Sequence, residues 1–345
     1  MSQRLENFKM DKTTTRSVRI LATGHVLPKH SLTSEELDLQ LGHSFGTIRA
    51  LSGVNKRHVA DSTESAANLA AQAARVALDT AGLKWADIDC LVAVSGTMDQ
   101  GMPSNAALVH AELGLSTLAI PAFDINASCL GFIAALDTLS WPLIAGRYEN
   151  ILIVAADLAS CGLNWDDLES SAIFGDGAAA VIIGRSSIEN TSCILASNLK
   201  TYSEGVHFCE IPAGGSRYHP SRIKQDFIPL TKFHMDGKKV FRLASEHLPL
   251  FVDNLLNSSG LKIHDIDWIV PHQASQLAIQ HMIKRLNFSA EKVINIFANY
   301  GNQVAASLPT TLDVAIRDDR IKRGDNLLLI GTGAGLSIGG VVLTY

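Results

Sequence analysis

Gly82-Leu83-Lys84-Trp85-Ala86-Asp87-Ile88-Asp89-Cys90-Leu91-Val92 returns 178 positions later as Gly260-Leu261-Lys262-Ile263-His264-Asp265-Ile266-Asp267-Trp268-Ile269-Val270. Seven of the eleven positions are identical. Each copy follows a helical stretch and runs into an apolar strand, the first ending at Val94-Ser95-Gly96 and the second at Pro271-His272-Gln273. A later echo pairs Asn150-Ile151-Leu152-Ile153-Val154 with Asn326-Leu327-Leu328-Leu329-Ile330 at an offset of 176. A chain that repeats its own pattern at this spacing is expected to be two similarly folded halves. The boundaries read as 17–185 and 186–345, after a polar, flexible tail over residues 1–16. The seam between the halves is a natural place for a site, because each half presents different side chains there.

The 345 residues are 47% hydrophobic and 18% charged, enough apolar material for a large core and too much for disorder. A net charge of −5 gives no reason to expect nucleic acid. Five cysteines, Cys90, Cys129, Cys161, Cys193 and Cys209, are scattered without CxxC spacing. An odd, unpatterned count with no apolar leader in Met1 to Arg16 points away from a disulfide framework and towards a cytoplasmic protein. No apolar run approaches the ~20 residues that a membrane helix needs.

Short apolar strands alternate with helical patterns, the mark of an α/β fold. Strands are expected at 17–23, 89–95, 150–156, 178–184, 192–198, 267–271, 326–331 and 338–344. They are apolar nearly throughout, so both sheet faces should be covered. The alanine-rich stretch 64–80 reads as a helix with Ser62 or Thr63 as N-cap and Gly82 past its end. Its counterpart, 240–256, contains Pro249, which should kink or break it. Leu130 to Ile144 is apolar almost all round and is expected to be buried centrally, with Pro142 ending or bending it. The run 199–238 lacks regular signals and reads as a long excursion of the kind that lines binding sites.

Three residues stand out as candidates for chemistry. Cys129, in Asp124-Ile125-Asn126-Ala127-Ser128-Cys129-Leu130-Gly131-Phe132, sits where a strand gives way to the buried helix. A helix N-terminus favours the nucleophilic thiolate, and the small neighbours Ala127, Ser128 and Gly131 leave room for a carbonyl. Read alone, it is equally a buried small hydrophobe. His272 directly follows a strand and precedes a helix running from about Ser275 to Leu286, at the strand end where α/β folds place chemistry. Asn302, in Asn299-Tyr300-Gly301-Asn302-Gln303-Val304-Ala305-Ala306-Ser307, would supply a neutral donor for an oxyanion, or it is a turn residue beside Gly301. Phe174-Gly175-Asp176-Gly177-Ala178 and Gly331-Thr332-Gly333-Ala334-Gly335 lack the Gly-Lys-Ser/Thr of a phosphate loop and read as tight turns at strand ends. His207, Cys209, Glu210 and His219 fit no standard metal spacing.

Taken in order, these segments resemble the β-ketoacyl-acyl-carrier-protein synthase III family of the thiolase superfamily, from about Ser17 to Tyr345. The carrying motifs are Asn126-Ala127-Ser128-Cys129-Leu130-Gly131-Phe132, Phe174-Gly175-Asp176-Gly177-Ala178, Asp267-Trp268-Ile269-Val270-Pro271-His272-Gln273-Ala274 and Tyr300-Gly301-Asn302-Gln303-Val304-Ala305-Ala306-Ser307. Thiolases proper use a second cysteine near the C-terminus, and none follows Cys209 here. The resemblance implies a five-layered αβαβα sandwich and a homodimer. It implies acylation of Cys129 by an acyl thioester, then decarboxylative condensation with a malonyl thioester. His272 and Asn302 would donate to the enolate oxygen, and the backbone amides of Cys129 and of Ala334 or Gly335 would hold the oxyanion. The implied partners are acyl-CoA and acyl carrier protein, with no metal or redox cofactor.

The departures fall on the substrate side. The family's adenine-stacking tryptophan and arginine positions fall on Thr47 and Leu168, and the asparagine that usually closes the histidine loop is Ser275. Met102 takes the place of the bulky aromatic that closes the acyl pocket from a partner subunit, and methionine is flexible enough to admit a different chain. Arg242, Lys284 and Arg285 fall where the family docks its carrier protein. Two alternatives remain: an acyltransferase passing the Cys129 acyl group to an alcohol or amine without decarboxylation, and an inactive partner subunit.

Overall fold

The repeated Asp-Ile-Asp segment closes the same clip in each half. In the first copy the Asp87 carboxylate accepts the Lys84 amide at 2.7 Å, and in the second Asp265 accepts the Lys262 amide at 2.8 Å. Asp89 accepts the Glu149 and Asn150 amides at 2.7 and 2.9 Å, and Asp267 accepts the Asn326 amide at 2.8 Å. The Asn150 and Asn326 side chains donate back to the Asp87 and Asp265 carbonyls. Each clip fixes the starting register of two adjacent parallel strands, Cys90–Ala93 beside Asn150–Asp157 and Trp268–Pro271 beside Asn326–Gly333. The two sequence echoes are therefore the two sides of one device, used twice.

The computed structural model describes residues 15–187, 191–224 and 226–345. One sheet has five strands in the order Val18–Val26, Gly177–Arg185, Asn150–Asp157, Cys90–Ala93 and Ala122–Asp124, the first two pairings antiparallel and the last two parallel. The other repeats the pattern with Cys193–Thr201, Ser337–Thr344, Asn326–Gly333 and Trp268–Pro271. An isolated parallel bridge from Ile269 to Val293 stands where the fifth strand would be.

Helices Gly131–Ile144 and Ser307–Arg317 lie between the sheets in one continuous core with residues such as Val92, Ile153, Leu329 and Val341. Helices Ala66–Ala81 and Asn105–Glu112 cover the outer face of the first sheet, and Gly237–Ser259 with Gln276–Leu286 cover that of the second. The layers run αβαβα. The alanines of Ala66–Ala81 serve close approach, since a Cβ on Gly24 of the facing strand would lie 2.7 Å from the Ala77 nitrogen.

Several expectations are corrected. The N-cap is Ser65, which accepts the Asn68 amide, because the Thr63 hydroxyl is bound to Asp61 in the preceding turn. Gly237–Ser259 runs unbroken through Pro249. Residues 1–14 of the expected tail lie outside the described residues, but Arg16 is anchored. It pairs backbone to backbone with Ile194, is 1% exposed, and its guanidinium reaches Asp137, Ser140 and Ser197. Gly175 and Gly177 make no left-handed turn: a Cβ on Gly175 would sit 2.3 Å from the Tyr300 carbonyl, and one on Gly177 2.2 Å from the Gln303 side chain. These glycines let the two halves touch.

Candidate active site

Cys129, His272 and Asn302 all face one cavity of about 1520 Å³ at the seam between the sheets. Its walls include Cys209, Ile211, Phe233 and Met235 from the irregular run 199–238, as expected of that excursion. They also include the first half of Gly237–Ser259 and most of Gln276–Leu286.

The loop before Cys129 is wound tightly. Ser128 sits at φ 52°, and its amide is accepted by the Asn126 side chain at 2.9 Å. The Leu130 and Gly131 amides close turns onto the Ala127 and Ser128 carbonyls, leading into the helix. Gly131 has a different purpose from making room for substrate. A Cβ there would lie 2.2 Å from the Val94 carbonyl oxygen, so glycine lets the helix start press against the strand end. Opposite, a Cβ on Gly333 would come within 3.6 Å of the Cys129 nitrogen. Ala334 lines the cavity, whereas Gly335, at φ 136°, lies outside its walls.

A second strained turn carries Asn302. Its amide donates to the Ile173 carbonyl and its own carbonyl accepts from Gly175, which stitches it to the first half. Its Oδ1 accepts the Val304 amide at 2.9 Å, steadying Val304 at φ 52°, an uncommon setting for a β-branched residue. With Oδ1 engaged, the Asn302 NH₂ is left as the donor, held by a 3.3 Å contact to the Ala274 carbonyl. The two turns meet at Gly96, where a Cβ would lie 2.6 Å from Val304 Cγ1 and 3.6 Å from the Ser128 carbonyl carbon.

His272 hangs from the end of its strand by its amide, which donates to Ile330 at 2.8 Å. It is 5% exposed, and its buried Nδ1 has no partner. Gln273, wholly buried, fixes the loop by donating to the Pro271 and Ile294 carbonyls and accepting from Ile296.

Burial sets the resting protonation. It pushes the Cys129 thiol up to about 12 and His272 down to about 4. The expected thiolate preference at the helix start is therefore overturned at rest, because that contribution, about 0.3–1 kcal/mol, is the smaller. Both groups are neutral at pH 7. Asp157, wholly buried, is pushed up to about 6 by desolvation, although it accepts from the Thr97 amide and hydroxyl and from the Ala305 and Ala306 amides. It ties the Gly96 turn to the Asn302 segment.

The outer candidates separate. Lys284 and Leu168 are in the cavity wall, as is Ser275, whose hydroxyl caps the following helix at Ala278. Arg242 and Arg285 are exposed but do not line it, and neither does Thr47. Met102 is 85% exposed and outside the walls of its own chain's cavity, although Thr97, Met98 and Asp99 just before it are inside. Among the described residues no three His, Cys, Asp or Glu side chains converge as a metal site, and no helix is long and apolar enough to cross a membrane. Sequence reading missed Gly96, Asn126, Asp157 and Gln273. Only their positions at strand ends or beside the candidates signalled them.

Known proteins share this architecture. Residues 123–203 match the family model described as 3-oxoacyl-[acyl-carrier-protein] synthase III, and residues 256–345 match the model of its C-terminal region. The chain is 36% identical over 334 residues to a β-ketoacyl-[acyl-carrier-protein] synthase III of Neisseria meningitidis serogroup A, covering 95% of this chain and 99% of that one. The crystal structure of the corresponding Aquifex aeolicus VF5 synthase superposes with a TM-score of 0.85 at 32% identity, covering 95% of this chain and all of that one. The Pseudomonas aeruginosa PAO1 synthase gives the same TM-score and identity, with 96% and 98% covered.

Proposed function

The chain belongs to the 3-oxoacyl-[acyl-carrier-protein] synthase III family and is a condensing enzyme of that kind, and on this premise we propose that Cys129, His272 and Asn302 carry its two half-reactions. The thiol of Cys129 attacks an acyl thioester, His272 takes the thiol proton, and the leaving thiol carries that proton away. His272, held down to about 4 by burial, has a lone pair free at pH 7, and the same burial makes it a weak base, so the proton moves only as the sulfur bonds to the acyl carbon.

A malonyl thioester then enters and loses carbon dioxide. The electron pair left behind forms an enolate whose oxygen accepts hydrogen bonds from the Asn302 NH₂ and the His272 N–H. The enolate carbon attacks the acyl carbonyl on Cys129. The tetrahedral oxyanion is held by the Cys129 amide with that of Ala334, and as it collapses the Cys129 sulfur departs as a thiolate that takes up a proton from solvent to restore the thiol. The observation that carries this reading is the amide of Asn302. With Oδ1 engaged by Val304, it presents a donor rather than an acceptor to the cavity shared with Cys129 and His272.

The reading extends to a homodimer of two duplicated halves, 17–185 and 186–345, in which Met102 reaches the acyl pocket of the other subunit. Acyl-CoA and acyl carrier protein are the proposed donors, with the carrier approaching the side that bears Arg242, Lys284 and Arg285. Five unpaired cysteines support a cytoplasmic location. The experiment is intact-protein mass spectrometry with acyl-CoA and acyl-carrier donors, before and after malonyl-carrier protein. An adduct that vanishes with carbon dioxide release supports condensation. One that persists with malonyl present but transfers to an alcohol or amine supports the acyltransferase alternative. No adduct with any donor supports an inactive subunit.

A further inference from the structure

Val304 stands at φ 52°, a backbone setting that a β-branched residue keeps only where its surroundings enforce it. The enforcement comes from both sides. Before it, the Asn302 Oδ1 accepts the Val304 amide at 2.9 Å. After it, the Ala305 and Ala306 amides both donate to Asp157 Oδ2, at 3.0 and 3.2 Å. The other carboxylate oxygen, Oδ1, accepts the Thr97 amide at 2.7 Å and the Thr97 hydroxyl at 3.0 Å. One carboxylate therefore spans from the Gly96 turn of the first half to the residues that follow Asn302 in the second.

Asp157 is wholly buried and does not line the cavity, so it acts only through its neighbours. Those neighbours are three amides and one hydroxyl, all of which donate to the ionised form. Charge-assisted hydrogen bonds are about twice as strong as neutral ones. Burial pushes Asp157 up to about 6, so it is mostly ionised at pH 7 and mostly protonated at pH 5. The protonated form finds one acceptor for its proton among these partners, the Thr97 hydroxyl, and grips the amides less strongly. No counter-ion steadies the charge, since Asp157 joins no ion pair among the described residues. From the start of the central helix, the Cys129 thiol feels that charge. The other acids on the surrounding elements are turned away. Asp176 holds the Ser160 and Ala60 amides, Asp99 those of Ala66 and Ala67, and Asp313 holds Thr23, His25 and Arg317.

We propose that Asp157 is a positioning residue for decarboxylation: its carboxylate holds Val304, and through Val304 keeps the Asn302 NH₂ turned to the enolate oxygen. This rests on the assignment of Asn302 above and adds the group that fixes its orientation. The Cys129 turn has holds of its own, Asn126 on Ser128 and the packing of Gly131 on Val94. The two half-reactions should therefore answer differently to pH. Acylation follows His272 and stays constant down to pH 5. Decarboxylation follows Asp157 and should fall about threefold to tenfold between pH 7 and 5, because about nine-tenths of a group is protonated one unit below its midpoint.

The test loads the full-length enzyme at pH 7.5 with the fastest of acetyl-, hexanoyl- and decanoyl-pantetheine and mixes it with malonyl-carrier protein between pH 7.5 and 5. Carbon dioxide release reads one half-reaction, and acyl uptake by mass at the same pH values reads the other. The expected result is a decarboxylation midpoint near 6 beside a flat acylation profile. Asp157→Asn, uncharged at every pH, should lose that midpoint, release carbon dioxide at least about tenfold more slowly at pH 7.5, and acylate within about threefold of wild type. A merely structural role would move both half-reactions together, and that result overturns the proposal. So does wild-type decarboxylation that is flat across pH 6, or an Asp157→Asn protein that decarboxylates at the wild-type rate. Where Asp157→Asn does not fold, the two wild-type profiles decide. Decarboxylation that survives Asn302→Ala overturns the assignment beneath the proposal; decarboxylation that needs Asn302 but ignores the charge of Asp157 overturns the proposal alone.

Discussion

Replacing Gly131 by alanine should displace the nucleophile without touching its chemistry. The added Cβ would lie 2.2 Å from the Val94 oxygen and 3.0 Å from Val94 Cβ. The oxygen belongs to backbone in the first sheet, so the helix start must yield. Reaching even a tight 3.0 Å contact requires a shift of about 0.8 Å. Overpacking of this kind costs about 1–3 kcal/mol, and misplacing a reacting group by about 1 Å costs on the order of 10²-fold in rate. Gly131→Ala should therefore acylate Cys129 about a hundredfold more slowly and melt a few degrees lower. Gly101→Ala is the control, since nothing lies within 4 Å of its added Cβ. Stopped-time mass spectrometry of the acyl-enzyme, with calorimetry on the same samples, reads both quantities. A Gly131→Ala protein that acylates within threefold of wild type and melts within a degree of it would refute the close-packing argument.

The protonation states give a pH signature. His272, pushed down to about 4, stays neutral through the range where an ordinary histidine titrates, so the acid limb of Cys129 acylation should fall well below pH 6.5; a midpoint near 6.5 would contradict this. Between pH 6.5 and 4 the unfolded chain binds a proton that folded His272 refuses, so stability is lost as pH falls across that window. Asp157, pushed up to about 6, acts oppositely and regains stability as pH falls from 6 towards 3.8. His272→Asn removes only the first effect, so denaturation at pH 7.5 and 5 should show the variant gaining on wild type at the lower pH. Arg16→Ala should cost about 2–3 kcal/mol in urea unfolding, less than the 3–5 of a fully buried pair, because the Asp137 side chain is 40% exposed. Pro249→Ala should stabilise by about 1–3 kcal/mol, by restoring a hydrogen bond inside Gly237–Ser259.

The duplicated architecture was legible because its register is set locally. Asp87, Asp89 and Asn150, with their copies Asp265, Asp267 and Asn326, must be the same residues twice if the same clip is to form twice. Cys129 and His272 were legible for a similar reason: each stands beside a regular element whose apolar pattern is plain, whereas Asn302 stands in a turn after the four-residue helix Phe297–Tyr300 and was legible through its motif alone. What remained hidden depends on contacts between distant segments. Nothing local shows that Gly131 faces the Val94 carbonyl, or that Gly175 faces the Tyr300 carbonyl. Arg16 reads as the end of a polar tail until Asp137, Ser140 and Ser197 are brought to it. The helix-terminus argument for a thiolate failed because desolvation depends on the whole cavity wall, which no short window contains. Short pieces such as Ala122–Asp124, and the antiparallel pair His30–Thr33 and Lys56–Val59, have too few residues to show a period.

The division of labour between Cys129 and Asn302 is tested most directly by measuring both half-reactions in Cys129→Ala and Asn302→Ala, with acylation followed by mass and malonyl decarboxylation by carbon dioxide release. The account predicts that Cys129→Ala takes up no acyl group, and that Asn302→Ala is acylated near the wild-type rate but loses decarboxylation by about 10²–10³-fold, as removal of an oxyanion donor does. An acylated Cys129→Ala protein, or an Asn302→Ala protein that releases carbon dioxide at the wild-type rate, would contradict it.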